Sequence, residues 1–233
     1  MSDTVAILAT YNEAENIETV ITEILSLPQS LDVLVVDDAS ADGTGEIVDR
    51  LAVQTGRVHV IHRKGKLGLG SAIATGLKWA TSKSYRYAVN LDADRSHNPA
   101  SIPDLLAKMN DCDIAVGSRY VQSGRIVNWG VGRRITSRLV NAYARFVLGT
   151  GVRDSSGSFR CYDLQALQKI DLDSLRSNNY AFLEEMLFRC RRAGLRFAEV
   201  PITFEDRREG SSKAGLKEKV SSAFSLLKIR LSQ

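Results

Sequence analysis

Short apolar runs that close on polar or acidic residues, alternating with segments of helical periodicity, constrain this chain more than any other feature. Val5-Ala6-Ile7-Leu8-Ala9, Val33-Leu34-Val35-Val36, Val58-His59-Val60-Ile61 and Tyr87-Ala88-Val89-Asn90-Leu91 read as strands. Between them, Ile17, Val20, Ile21, Ile24 and Leu25 recur at helical spacing. Ile47, Val48 and Leu51 do so after the turn Asp42-Gly43-Thr44, and residues 68–79 read as a third helix. Ser101-Ile102-Pro103-Asp104 has capping-box spacing and opens a fourth, followed by the strand Ile114-Ala115-Val116. Continuously apolar strands are buried on both faces, which requires helices on each side of a mostly parallel sheet.

The second half is less regular. It reads as a helix over 132–148, a polar loop over 151–158, a strand over 159–162, a helix over 182–192 and a strand over 197–204. A charged, Gly/Ser-rich mobile loop over 205–215 then precedes a last helix over 216–231. The expectation is one α/β domain over residues 1–215 with an appended amphipathic helix over 216–233.

Three strand ends carry the polar groups: Thr10-Tyr11-Asn12-Glu13, Asp37-Asp38 and Asp92-Ala93-Asp94. Parallel strands place these ends on one edge, where open α/β sheets bind ligands. Helix caps account for Asp42 or Thr44 but not for Asp37, Asp38, Asp92 and Asp94 together. Converging carboxylates repel unless a cation or donors compensate, and oxygen ligands suit a hard divalent ion. Lys64-Gly65-Lys66-Leu67-Gly68-Leu69-Gly70 enters a helix; its glycines either let backbone N–H groups hold a phosphate or serve turn and packing. Its spacing is neither the dinucleotide fingerprint nor the P-loop.

The ordered set resembles family 2 glycosyltransferases of GT-A fold, and within them the dolichyl-phosphate (polyprenyl-phosphate) mannose synthases. The resemblance runs from Thr10-Tyr11-Asn12-Glu13 through Asp37-Asp38, Lys66 to Gly70, Asp92-Ala93-Asp94 with Ser96-His97 and Pro99, and Gly117-Ser118-Arg119-Tyr120. It continues through Phe159-Arg160, Tyr180, Phe182, Glu185, Val200-Pro201-Ile202, Arg207, Gly210, Ser212 and Lys213. It implies that Ala9, Tyr11, Glu13, Val36 and Asp38 contact the nucleoside of a sugar donor, with Asp92, Ala93 and Asp94 along its ribose and diphosphate. Asp92, Asp94 and Ser96 would hold Mg²⁺ or Mn²⁺. Arg119, Arg133, Ser137 and Arg207 would surround donor and acceptor phosphates, with Lys213 nearby; Asp94, Arg119, Arg133 and Arg207 would carry catalysis. Three positions depart from the family: Ala9 for proline, Ser96 where some members use glutamine, and Ser158 for glycine.

The implied reaction is inverting, metal-dependent transfer of mannose from GDP-mannose to a polyprenyl phosphate. An ionised lipid phosphate needs no strong general base, and His97 reads as a structural residue beside the metal loop. The alternatives are another donor such as UDP-glucose, another acceptor, a D-x-D phosphohydrolase, or a non-catalytic nucleotide-sugar-binding regulator. The phosphohydrolase needs its acid on the first strand, and here the pair follows the fourth.

The net charge of +4 is too mild to imply nucleic acid, but Arg119, Arg125, Arg133, Arg134, Arg138, Arg145 and Arg153 crowd the centre. There Ile135, Leu139, Ala142 and Phe146 follow i, i+4, i+7, i+11, one residue ahead of Arg134, Arg138, Asn141 and Arg145. That face either packs on the core or lies at a membrane surface and guides a lipid acceptor. No apolar run approaches the ~20 residues of a membrane span. The expectation is a cytoplasmic protein, peripheral on a membrane or held there by an anchoring partner.

Overall fold

A computed structural model describes residues 2–175, 177, 181–206 and 230. In chain order its elements are β1 (Thr4–Thr10), α1 (Ile17–Leu25), β2 (Leu31–Asp37), α2 (Thr44–Thr55), β3 (Val58–His62), α3 (Leu69–Ser82) and β4 (Tyr87–Asp92). They continue with α4 (Ile102–Lys108), β5 (Ile114–Ser118), β6 (Arg125–Val127), α5 (Val131–Leu148), β7 (Arg160–Asp163) and α6 (Leu164–Leu167). The last are α7 (Ala181–Arg192), β8 (Phe197–Pro201) and β9 (Thr203–Glu205).

The main sheet has the order β3-β2-β1-β4-β7-β5-β8, and only β7 runs antiparallel to its neighbours. Alternate residues of β1 serve opposite layers. Ala6 and Leu8 join Ile17, Val20, Ile21, Ile24, Val48, Ile102 and Leu105 on one face. Val5 and Ile7 join Ile73, Leu77, Met186 and Leu187 on the other. Both layers are buried, as apolar strands covered on each face require.

Three local expectations change. Ser101 makes no side-chain cap: it already has helical angles at the end of a 3₁₀ turn, Pro99–Ser101, whose cap is Asn98. An N-cap hydroxyl needs an extended backbone to reach back. The strand over 197–204 is two strands: β8 pairs with β5 as far as Pro201, and β9 then pairs with β6 in a separate two-stranded sheet. Pro201 has no N–H to continue a ladder. Glu205 closes β9 and is not in a loop. The loop from 207 onward and the helix over 216–231 lie, apart from Arg230, outside the described residues.

In α5 the buried stripe is Asn141, Ala144, Val147 and Leu148. Ile135, Leu139 and Phe146 are 54%, 65% and 86% exposed, so this apolar face does not pack on the core. No described helix is long and apolar enough to cross a membrane.

Candidate active site

The register brings the strand tips together, Thr10 opposite Asp37 and Ala9 opposite Asp92. The acids there divide by what they touch. Asp37 accepts from Thr10 Oγ1 at 3.0 Å and from the Ser40 N–H, which ties the β1 and β2 tips. Asp38 accepts from the N–H groups of Leu67 and Gly68 at 3.0 and 2.9 Å and pairs with Arg63 at 2.8 Å. Those two N–H groups of the glycine loop are therefore spent on Asp38. Gly68 has φ 98°, and a Cβ on Gly70 would lie 2.5 Å from Phe182, so these glycines serve turn and packing.

Among the residues expected at the nucleoside, Ala9, Tyr11 and Glu13 are half-buried at the edge. Lys66 Nζ sits 4.0 Å over the Tyr11 ring. Val36 is fully buried, with its side chain toward Gly76 of α3, so the structure does not bring it to the site surface.

Asp92 ends β4, half-buried, and its Oδ1 accepts from Ser158 Oγ at 2.6 Å. Ala93, Asp94 and Ser96 are buried, and Asp94 Oδ1 accepts the Ser96 N–H at 3.0 Å. The Ser96 hydroxyl is buried without a hydrogen-bond partner. Two carboxylates with an orphaned hydroxyl form an oxygen-only donor set that fits a hard divalent ion. Among the described residues no cluster of three or more His, Cys, Asp or Glu could hold a metal. The set therefore suits an ion that completes its shell with substrate oxygens.

His97 is buried between Phe159 and Phe204, with ring centroids 5.2 and 5.3 Å away. Its Nδ1 accepts the Asp92 N–H at 3.2 Å, which leaves the neutral ring its proton on Nε2. Burial lowers its pKa despite Asp92 and Asp94. A neutral ring that spends its lone pair on a backbone donor is structural, as expected for this residue.

Arg119 follows the β5 tip. It donates through Nε and Nη2 to Asp154 at 2.7 and 2.6 Å, and through Nη2 to Ser156 Oγ at 3.0 Å. Burial works against its charge, but the Asp154 carboxylate outweighs that and raises its pKa. Arg133, in the first turn of α5, pairs with Asp206 at 2.6 Å and lies 4.0 Å over the Trp129 ring. Ser137, one turn on, accepts from the Tyr120 hydroxyl at 2.7 Å. Arg207 and Lys213 lie outside the described residues.

The residues missed in the sequence belong to the loop over 151–158. Asp154 clamps Arg119, and Ser158, marked above only as a departure from glycine, supports Asp92. Asn90 Nδ2 holds the Ser158 carbonyl at 2.8 Å. Fully buried Arg160 donates to the carbonyls of Ser155, Gly157 and Leu183. Asn141 exchanges hydrogen bonds with Ser156. The available signal was a run of small polar residues that ends at a buried strand beginning with arginine.

The family model described as glycosyl transferase family 2 matches residues 5–171. The chain belongs to glycosyl transferase family 2. It is 42% identical over 207 residues to an undecaprenyl-phosphate mannosyltransferase of Micrococcus luteus, covering 89% of this chain and 85% of that protein. It is 41% identical over 212 residues to a polyprenol monophosphomannose synthase of Mycolicibacterium smegmatis, covering 90% and 80%. Among solved structures, it is similar to a glucosyl-3-phosphoglycerate synthase of Mycobacterium tuberculosis in complex with Mn²⁺, UDP and glucosyl-3-phosphoglycerate. There the TM-score is 0.66 at 21% identity, over 98% of this chain and 78% of that one. A mannosyl-3-phosphoglycerate synthase from Rubrobacter xylanophilus gives a TM-score of 0.67 at 17% identity, over 97% and 72%. The expected GT-A architecture of this family 2 chain is thus the observed one.

Proposed function

We propose that this family 2 glycosyltransferase moves mannose from GDP-mannose to the phosphate of a polyprenyl phosphate, with inversion. The sugar and the acceptor come from its likeness to the two mannosyl-transferring relatives. The observation that carries the reading is one loop serving both halves of such a reaction. Ser158 supports Asp92 on the donor side, and Asp154 holds Arg119 on the phosphate side.

Ala9, Tyr11 and Glu13 frame the nucleoside; Asp38 acts beneath them by fixing the 66–70 loop. Asp92, Asp94 and Ser96 hold Mg²⁺ or Mn²⁺, which supplies Lewis-acid neutralisation of the leaving diphosphate. Arg119, Arg133 and Ser137 position the acceptor phosphate. One of its oxygens, ionised at neutral pH, attacks the anomeric carbon while the bond to GDP breaks. GDP leaves with the electron pair, so no side chain must remove a proton. The work left to the protein is electrostatic and positional. The exposed apolar and basic face of α5 supports a peripheral seat on a membrane, which we take to be its cytoplasmic face.

The test offers radiolabelled GDP-mannose, UDP-glucose and UDP-N-acetylglucosamine in turn to polyprenyl-phosphate vesicles with Mn²⁺. The expected product is a mannolipid from GDP-mannose alone. A glycolipid only from a UDP-sugar overturns the donor, and none from any donor favours a nucleotide-sugar-binding regulator.

A further inference from the structure

Trp129 lies two residues before α5, with both arginines of the phosphate side against its ring. The guanidinium carbon of Arg133 is 4.0 Å from its ring centroid and that of Arg119 is 5.6 Å away. Phe204 packs edge-on at 5.5 Å. The ring is fixed by these contacts, yet its Nε1 is buried with no hydrogen-bond partner. A buried unpaired donor costs about 1–3 kcal/mol, and buried indoles usually find an acceptor.

The neighbouring charged groups are also donors whose protein acceptors are already shared out. Asp154 takes Nε and Nη2 of Arg119, and Asp206 takes Nη1 of Arg133. Among the described residues, Arg119 Nη1 has no acceptor. The indole N–H and the two guanidinium groups therefore gather at one ring, and the indole N–H has no acceptor. A tetrahedral phosphate monoester has three terminal oxygens to accept from three directions, which a planar carboxylate does not.

We propose that the Trp129 indole N–H donates to a terminal oxygen of the lipid acceptor's phosphate, between Arg119 and Arg133. This rests on the reading of the acceptor as a polyprenyl phosphate. The acceptor, and not the nucleoside diphosphate, is the occupant because of what adjoins the ring. Val131, two residues on, is 72% exposed and begins the apolar face that runs through Ile135 and Leu139. A phosphate at Trp129 lays its hydrocarbon chain along that face; a nucleotide has no such chain.

Trp79 and Trp129 are the two tryptophans of the chain. A Trp79→Phe background isolates the fluorescence of Trp129. Titration with farnesyl phosphate is expected to quench it saturably, and titration with GDP and Mg²⁺ is not. Replacing Trp129 by β-(3-benzothienyl)alanine, in which sulfur takes the place of the indole N–H, keeps the bicyclic ring contacts and removes only the donor. It is expected to raise KM for polyprenyl phosphate about tenfold. KM for GDP-mannose should stay within twofold, and the Tm of the free enzyme should hold or rise because an unpaired buried donor is gone. An unchanged lipid KM, a shift confined to GDP-mannose, or a fall in Tm with both constants raised overturns the assignment. Absence of mannolipid from the wild type refutes the mannosyl reading by itself. The titration needs no turnover and still judges Trp129: saturable quenching by farnesyl phosphate supports the site, and no quenching overturns it.

Discussion

Asp154→Asn separates the stability of the Arg119 clamp from its function. The carboxylate is fully buried and the arginine side chain 8% exposed. Asp154 Oδ2 also accepts the Arg119 backbone N–H at 3.0 Å. The substitution keeps the shape but removes the charge, and it turns one acceptor into an amide donor facing a guanidinium donor. A buried charge that loses its partner costs about 3–5 kcal/mol. Domains are typically stable by only 5–15 kcal/mol. In urea the unfolding midpoint should therefore fall by roughly 1–2 M. Adding Arg119→Met removes the stranded charge and leaves the amide oxygen for the backbone N–H. The double variant should recover to within about 1–2 kcal/mol of the parent, since a buried pair is often replaceable by apolar packing. Its transfer activity should remain lost, because the phosphate has lost its arginine. A single variant within 1 kcal/mol of the parent refutes the clamp. So does a double variant no more stable than the single one.

Four further outcomes are expected. Asp94→Ala should lower transfer by at least about 100-fold with a near-native urea midpoint; parental activity in an Mn²⁺-supplemented assay would remove this residue from the metal set. Ser158→Ala removes the 2.6 Å hydrogen bond to Asp92; the Mn²⁺ concentration for half-maximal activity should rise about tenfold, and an unchanged value counts against the support role. Burial raises the Glu184 pKa from 4.5 to about 7, partly countered by Arg160. Between those pH values the native state keeps a proton that the unfolded chain has lost, so stability falls as pH rises, by on the order of 3 kcal/mol. Glu184→Gln should flatten the difference between urea midpoints at pH 5 and pH 8, and an undiminished difference would show that another group is responsible. Leu139→Ser with Phe146→Ser should release the protein from anionic vesicles in co-sedimentation without lowering Tm, because both side chains are exposed; a lowered Tm with binding retained would mean the face is structural.

What was legible in the sequence is what periodicity governs. β1, β2 and β4 are built around apolar runs, so their burial, their parallel pairing and the shared edge of Tyr11, Asp38 and Asp92 follow from pattern. The arginine side is different. Arg119 and Asp154 are 35 residues apart, and the loop over 151–158 has no repeat to predict which way Asp154 faces. In β6 only three residues pair, too few to alternate, and its partner β9 exists because Pro201 ends the ladder of β8. Glu184 and Glu185 are adjacent on one helix and both buried, although a helical pattern of apolar residues would mark either as solvated.

The consequence for mechanism lies in that unpatterned loop. Arg160 grips three carbonyls, two of them in the segment between Asp154 and Ser158, which ties that segment together. One end of it bonds the donor-side acid and the other holds the acceptor-side arginine. A displacement that loosens Ser158 from Asp92 therefore also shifts Asp154 under Arg119. The two half-sites should therefore be energetically coupled: in a double-mutant cycle on turnover, Ser158→Ala and Asp154→Asn should deviate from additivity by more than about 0.5 kcal/mol. Strict additivity would mean that the segment's two ends act independently, each through its own contact alone.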